Sequence, residues 1–153
     1  MRQALQSGRT IQAIIALLMA GGLVFWLVAE AGKPAGTKKL KVATGDLRSI
    51  ASEAVMLIDQ AEAGRLTANF FRIESSLLSE KAASTAQSAA TSRPQAGLEG
   101  LFAQTAGMAQ QAANELHGLS SSFGNREVME SAKKKLAEIK QQALRLEESL
   151  RRS

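Results

Sequence analysis

The sequence predicts an all-α protein: one N-terminal transmembrane helix followed by an antiparallel helical bundle, or coiled-coil domain, of three or four helices. Three observations carry this reading. Twenty consecutive residues between Arg9 and Glu30 are uncharged, and at about 1.5 Å per residue such a helix would be roughly as long as a bilayer's hydrocarbon core is thick. From residue 43 onward the apolar residues recur at spacings of three and four rather than two, the helical period. Turn-forming stretches, AGKPAG, TSRPQAG and SSSFGN, fall between those periodic runs. The chain accordingly divides into a short basic tail (1–9), a transmembrane anchor (10–30), a basic flexible linker (31–42) and a soluble helical bundle (43–153).

The anchor is expected to present Ile11, Ile15, Leu18, Leu23 and Phe25 to lipid, with Trp26 at the headgroup boundary, where an amphipathic ring is favoured. Ala16, Ala20, Gly21 and Gly22 form a run of small residues suited to close packing against another membrane helix. The competing reading is a signal peptide cut after Ala29-Glu30-Ala31, which has small residues at the required positions. The apolar run is longer than the usual signal-peptide core, and Lys33, Lys38, Lys39 and Lys41 directly behind it oppose early export. An uncleaved anchor is therefore the reading adopted. The flanking basic residues, counted alone, favour a cytoplasmic bundle. The short tail with Arg2 and Arg9 favours the opposite, and the expected location is the bacterial inner membrane with the bundle on the periplasmic side. A cytoplasmic-facing bundle and the mitochondrial inner membrane are the alternatives, the latter because MRQALQSGRT is basic and free of acids.

Pro34 and the surrounding glycines define the linker. The first bundle segment runs through Leu47, Ile50, Ala54 and Leu57, then past Gly64 in unbroken phase through Phe71 and Leu78. A neighbouring row, Leu66, Phe70, Ile73 and Leu77, widens that apolar face. One long helix or two helices divided at Gly64 both fit, since a lone Gly destabilises a helix by only about 1 kcal/mol. The alanine- and serine-rich stretch EKAASTAQSAATS allows close approach but offers little area to bury. Pro94 then breaks the helix. The following segment places Phe102, Leu116, Leu119 and Phe123 on one face, and Gly124 with Asn125 supplies a left-handed stop and a new N-cap. The last helix has the most regular seam: Met129, Ala132, Leu136, Ile139, Ala143, Leu146 and Leu150, a heptad pattern. The expected bundle core is Leu47, Ile50, Leu57, Phe70, Ile73, Leu77, Phe102, Leu116, Leu119 and Phe123. Glu147 with Arg151, and Glu148 with Arg152, are spaced to pair along that last helix.

Several function classes are disfavoured. The net charge is +5, yet from residue 42 onward there are 13 basic and 13 acidic residues, so the excess flanks the anchor. With no Tyr or Trp beyond residue 42 and only four Phe, the stacking platforms of nucleic-acid binders are missing, and no nucleic acid is expected. There is no cysteine, which removes disulfides and thiolate metal sites. His117 is the single histidine and falls one position off its seam. No catalytic or metal-ligating residue, cofactor or small-molecule substrate is expected, and the chain is not expected to be an enzyme. Lys133, Lys134 and Lys135 should form a solvated face between seam positions.

The expected function is a non-catalytic, single-pass accessory, scaffolding or assembly subunit of a larger membrane complex. Its partners would be the lipid bilayer and other subunits of that complex, or further copies of itself. An alternative is an envelope-spanning coiled-coil linker: the arrangement of short tail, anchor and external helices resembles in layout the inner-membrane partner of phage spanin pairs, without a shared motif. A helical-bundle sensor module is the other alternative, although no second apolar span follows LRRS as it would in a two-span receptor.

Overall fold

The computed structural model describes residues 34–152. The tail, the anchor and the intramembrane packing residues, Ile11 through Trp26, lie outside the described residues. Among the described residues, no helix is long and apolar enough to cross a membrane. These residues form four helices: α1 (Thr37–Glu62), α2 (Ala68–Thr91), α3 (Glu99–Leu119) and α4 (Arg126–Arg152).

Local chemistry sets the boundaries. Gly36 is extended before α1, and its neighbour Ala35 is fixed to the α2–α3 connection by two backbone bonds. The Ala35 N–H donates to the Arg93 carbonyl at 2.7 Å, and the Gln95 N–H donates to the Ala35 carbonyl at 3.0 Å. At the other end of α1, Gly64 takes the left-handed conformation at φ 69°, a region where a side chain on Cα would be strained. Thr67 then restarts the chain as an N-cap, its hydroxyl accepting from the Phe70 N–H at 3.3 Å. The question at Gly64 is thus resolved as two helices. Ser92 is extended two residues ahead of Pro94, whose ring excludes a further helical turn. Asn125 caps α4 by accepting from the Val128 N–H at 3.3 Å.

The four helices pack as a bundle with successive neighbours antiparallel. Lys133, near the start of α4, meets Asp59 and Glu62 near the end of α1, whereas Glu147, near the end of α4, meets Arg48 closer to the start of α1. The most extensive interfaces are α2 with α3 and α1 with α4; α1 and α3 also approach across the diagonal, while α2 and α4 do not. The close α2–α3 approach follows from residue size. Ala82, Ala86 and Ala89 are buried on α2, as are Ala109, Ala112 and Ala113 on α3. Small side chains shorten the interaxial distance, and the Ser79 hydroxyl reaches across to donate to the Ala113 carbonyl at 2.9 Å. The poor packing expected of the alanine-rich stretch is offset by proximity. All seven seam residues of α4 are buried.

Two expectations need correction. Residues 37–42 are not linker: α1 begins at Thr37, and Leu40 is wholly buried. The breakers Pro34 and Gly36 end upstream of Thr37, and Leu40, Thr44, Leu47 and Ala51 then follow one another at helical spacing into the core. Phe70, Ile73 and Leu77 are not core either. Each keeps 45–46% of its surface exposed, because the face that α2 turns inward is the row Phe71, Ser75, Leu78 and Ala82. At about 100° per residue the two rows lie roughly 130° apart, too far to be buried by the same neighbours. Phe123 is likewise 39% exposed; its ring lies against that of Phe71, centroids 5.5 Å apart, closing the end of the core rather than filling it. Leu47, Ile50, Leu57, Phe102, Leu116 and Leu119 are buried as expected.

Candidate interaction surfaces

The outward row on α2 is the largest regular apolar feature among the described residues. Phe70, Ile73 and Leu77 are spaced three and four apart, whereas Leu66, in the bend before the Thr67 cap, is half-buried against the core and lies off the helix. Spacing of this kind produces a continuous stripe along a helix, which is the form a second helix can pack against. Val42 and Met56, also exposed, stand singly on α1, and isolated apolar residues on a surface are ordinary. The stripe's flanks carry Asn69, Arg72, Glu74 and Lys81, so neither sign of charge dominates there.

The charged residues of α4 are organised about its seam. Lys133 and Glu147 lie on the edge facing α1, Lys135 on the edge facing α3. The Lys133 ammonium contacts the Asp59 carboxylate and lies 3.1 Å from that of Glu62. Hydrogen bonding to Asp59, and then to Glu62, holds its pKa above the ordinary lysine value. Lys135 pairs with Glu115 of α3 at 2.8 Å. Glu147 lies between Arg48 at 3.5 Å and Arg151 at 3.0 Å. Among the described residues Glu148 and Arg152 form no comparable pair, both being exposed with no second helix to order them. The lysine cluster read from the sequence as one solvated face is therefore split. Lys134 is exposed, while its two neighbours tie α4 to helices on opposite sides. A heptad frame could have found this, since 133 and 135 flank the seam at 132 and 136.

Little else offers chemistry. His117 is exposed near the end of α3. No group of three or more histidine, cysteine or carboxylate side chains gathers to hold a metal ion among the described residues. A cleft at the Gly64 end, lined by Ala61, Gly64, Phe123 and Met129, has Glu62 and Arg126 at its rim. No buried polar group is among the residues lining it. Comparison of the chain with protein-family models, with curated proteins and with solved structures gives no match.

Proposed function

We propose that this protein is a non-catalytic, single-pass membrane protein acting as an accessory or assembly subunit, whose bundle docks a helix of another subunit of a larger membrane complex. The observation that carries the reading is the exposed stripe Phe70, Ile73 and Leu77 on α2. A contiguous apolar stripe on an otherwise charged exterior is unfavourable in water and characteristic of an interaction surface. The uncharged run of residues 10–29 supplies the membrane attachment, placed in a bacterial inner membrane with the bundle on the periplasmic side. The bundle's charges are spent on helix–helix pairs such as Lys133 with Asp59 and Glu62, which fits a scaffold better than a reactive site. The linker alternative is less well supported, because the chain folds back on itself and its longest described helix has 27 residues, about 40 Å.

The test is to extract the full chain from membranes in mild detergent and to compare it with an Ile73→Asp/Leu77→Asp variant. A companion retained at fixed stoichiometry by the parent and lost from the variant, with helicity unchanged, supports the reading. A companion retained equally by both, or none in either, overturns it. Intact mass provides the accompanying check on the anchor: a species near 16.2 kDa retains residues 1–31, and a shorter one lacking them does not.

A further inference from the structure

We infer that the end of the bundle formed by the start of α1, the α2–α3 connection and the last turn of α4 is a docking surface for anionic phospholipid headgroups. The inference rests on the reading of residues 10–30 as a membrane anchor and adds a second, electrostatic contact made by the folded bundle itself.

The fold gathers cations that the sequence scatters. Lys38, Lys39 and Lys41 stand in the first turns of α1. Arg93 is brought beside them by the backbone bonds between Ala35 and the Arg93–Gln95 stretch. Arg151 and Arg152 lie in the last turn of α4, at the α1 level set by the Arg48–Glu147 pair. The carboxylates at this end are Asp46, Glu99, Glu147 and Glu148. Glu99 accepts the Gly97 N–H at 2.8 Å, and Glu147 is engaged with Arg48 and Arg151. Lys38, Lys39, Lys41, Arg93 and Arg152 make no ion pair among the described residues. At the opposite end Lys133 and Lys135 are both paired with carboxylates. Lys134, Arg65 and Arg126 at that end make no ion pair among the described residues either, so the contrast is one of charge balance. Asp59, Glu62, Glu115, Glu127 and Glu130 stand among the cations there, whereas the first turns of α1 hold three lysines and no acid.

Their position also works against the helix that holds them. α1 has no acidic residue in its first turn. The first turn is where the helix dipole favours anions and disfavours cations. Local rules broken without local compensation are expected where function requires it. Here the missing anions would come from outside the chain. Val42, exposed at 56% between these lysines and the groove it shares with α2, adds an apolar contact at the same rim.

The identity of the anion follows from the covalent tether. Ala35 enters the bundle at this end and follows Glu30, the last residue of the anchor, by five positions, a span of at most about 18 Å. A short tether raises the effective concentration of the headgroups far above that of any dissolved polyanion. Near an anionic bilayer each Lys or Arg adds to the attraction, an effect that fades within a Debye length. Nucleic acid would be gripped by the same cations, but among the described residues this end has no exposed aromatic ring on which unpaired bases could stack.

The chain contains no cysteine, so one introduced thiol can report on one place. The full chain carrying Ala96→Cys, in the exposed α2–α3 connection, is labelled with a polarity-sensitive fluorophore and placed in vesicles of phosphatidylcholine, alone or with roughly a third phosphatidylglycerol. The expected result is a blue shift only in the anionic vesicles, abolished at about 1 M salt, where the Debye length is near 3 Å. The same label at Ala63→Cys, in the connection at the far end, should not shift. Lys38→Glu/Lys39→Glu/Arg93→Glu should remove the shift with the circular dichroism unchanged; the milder Lys38→Gln/Lys39→Gln should reduce it partway. Equal emission in neutral and anionic vesicles, or a shift that survives charge reversal, overturns the inference. So does salt-sensitive binding of a DNA duplex without a response to anionic vesicles, which would make the end a nucleic-acid surface. Flotation separates the two readings. A chain that floats with both vesicle types but shows no shift keeps its anchor and loses the docking surface. A chain that floats with neither loses both.

Discussion

Three polar side chains are buried in this core, and they are satisfied unequally. The Thr44 hydroxyl donates to the Leu40 carbonyl at 3.0 Å, and that of Thr105 to the Leu101 carbonyl at 2.8 Å. Each returns its proton to its own helix one turn back, a local solution that helices permit. Ser75 lies among the buried residues of α2 with a hydroxyl that finds no partner among the described residues. A buried hydroxyl without a hydrogen bond carries a desolvation penalty that an alanine of nearly the same shape does not. Ser75→Ala is therefore expected to leave stability unchanged or raise it by up to about 2 kcal/mol, read from the urea midpoint. A loss of more than about 0.5 kcal/mol would mean that the hydroxyl has a partner, such as a bound water. Lys133 gives a prediction of opposite character. Its pKa is raised by Asp59 and Glu62, so the folded state holds the proton more tightly than the unfolded chain. The resulting stabilisation is fully present below the unfolded value near 10.5 and is lost as pH rises through the higher folded value. Lys133 is about one-third exposed, so solvent screening limits the effect to at most about 1 kcal/mol. The pH-dependent part of the stability difference between the parent and Lys133→Met should be constant from neutral pH to about 9 and be lost well above 10.5. A difference that grows with pH would contradict the assigned pairing.

At the scale of single helices, the start of α1 is the feature most easily misread. KPAGTKKLK looks like a solvated linker because its lysines and Pro34 dominate the composition, yet Leu40 is wholly buried and Thr44 continues its row. Leu40→Ala should cost about 2–5 kcal/mol, as for other fully buried leucines. A loss below about 0.5 kcal/mol by chemical denaturation would show that the segment is not integral to the bundle. Legibility followed how much of each pattern lay within a single element. The seam of α4 could be read directly from a heptad repeat with charged residues on its outer faces, and all seven of its positions are buried. The breaks at Pro94 and Gly124 were visible in turn chemistry, and at Gly64 the left-handed glycine and the Thr67 cap decided what periodicity left open. The exposed stripe was harder to see, because α2 carries two apolar rows. Which row faces inward depends on where α1 and α3 lie, and a one-dimensional pattern does not contain that information. The wider row, with the larger side chains Phe70, Ile73 and Leu77, is the one left outside; the buried row is largely Ser and Ala below Phe71 and Leu78, because close approach to α3 demands small residues.

Taken as a whole, the bundle is polar in its properties along its length. The chain enters at the end that gathers Lys38, Lys39, Arg93 and Arg152, while the apolar stripe begins at Phe70, close to the opposite end. Under the proposed function, such a division would let one end engage a membrane while the other presents a helix face to a partner, without the two competing for the same surface. It also requires that the stripe be dispensable for folding, and a single chemical change at two places tests this. Ile73 is 46% exposed and Ile139 only 1% exposed, so replacing each by Asp introduces the same charge into opposite environments. At Ile139 an unpaired carboxylate would be buried in the α4 seam, and a loss of more than about 4 kcal/mol is expected, most of the stability of a domain at the low end of the usual range. At Ile73 the carboxylate remains in water, and the change should stay within about 0.5 kcal/mol. Helicity and the thermal midpoint should therefore collapse in the first variant and persist in the second. If Ile73→Asp unfolded the bundle as Ile139→Asp does, the stripe would belong to the core, and the partner-binding role proposed for it would fall with that result.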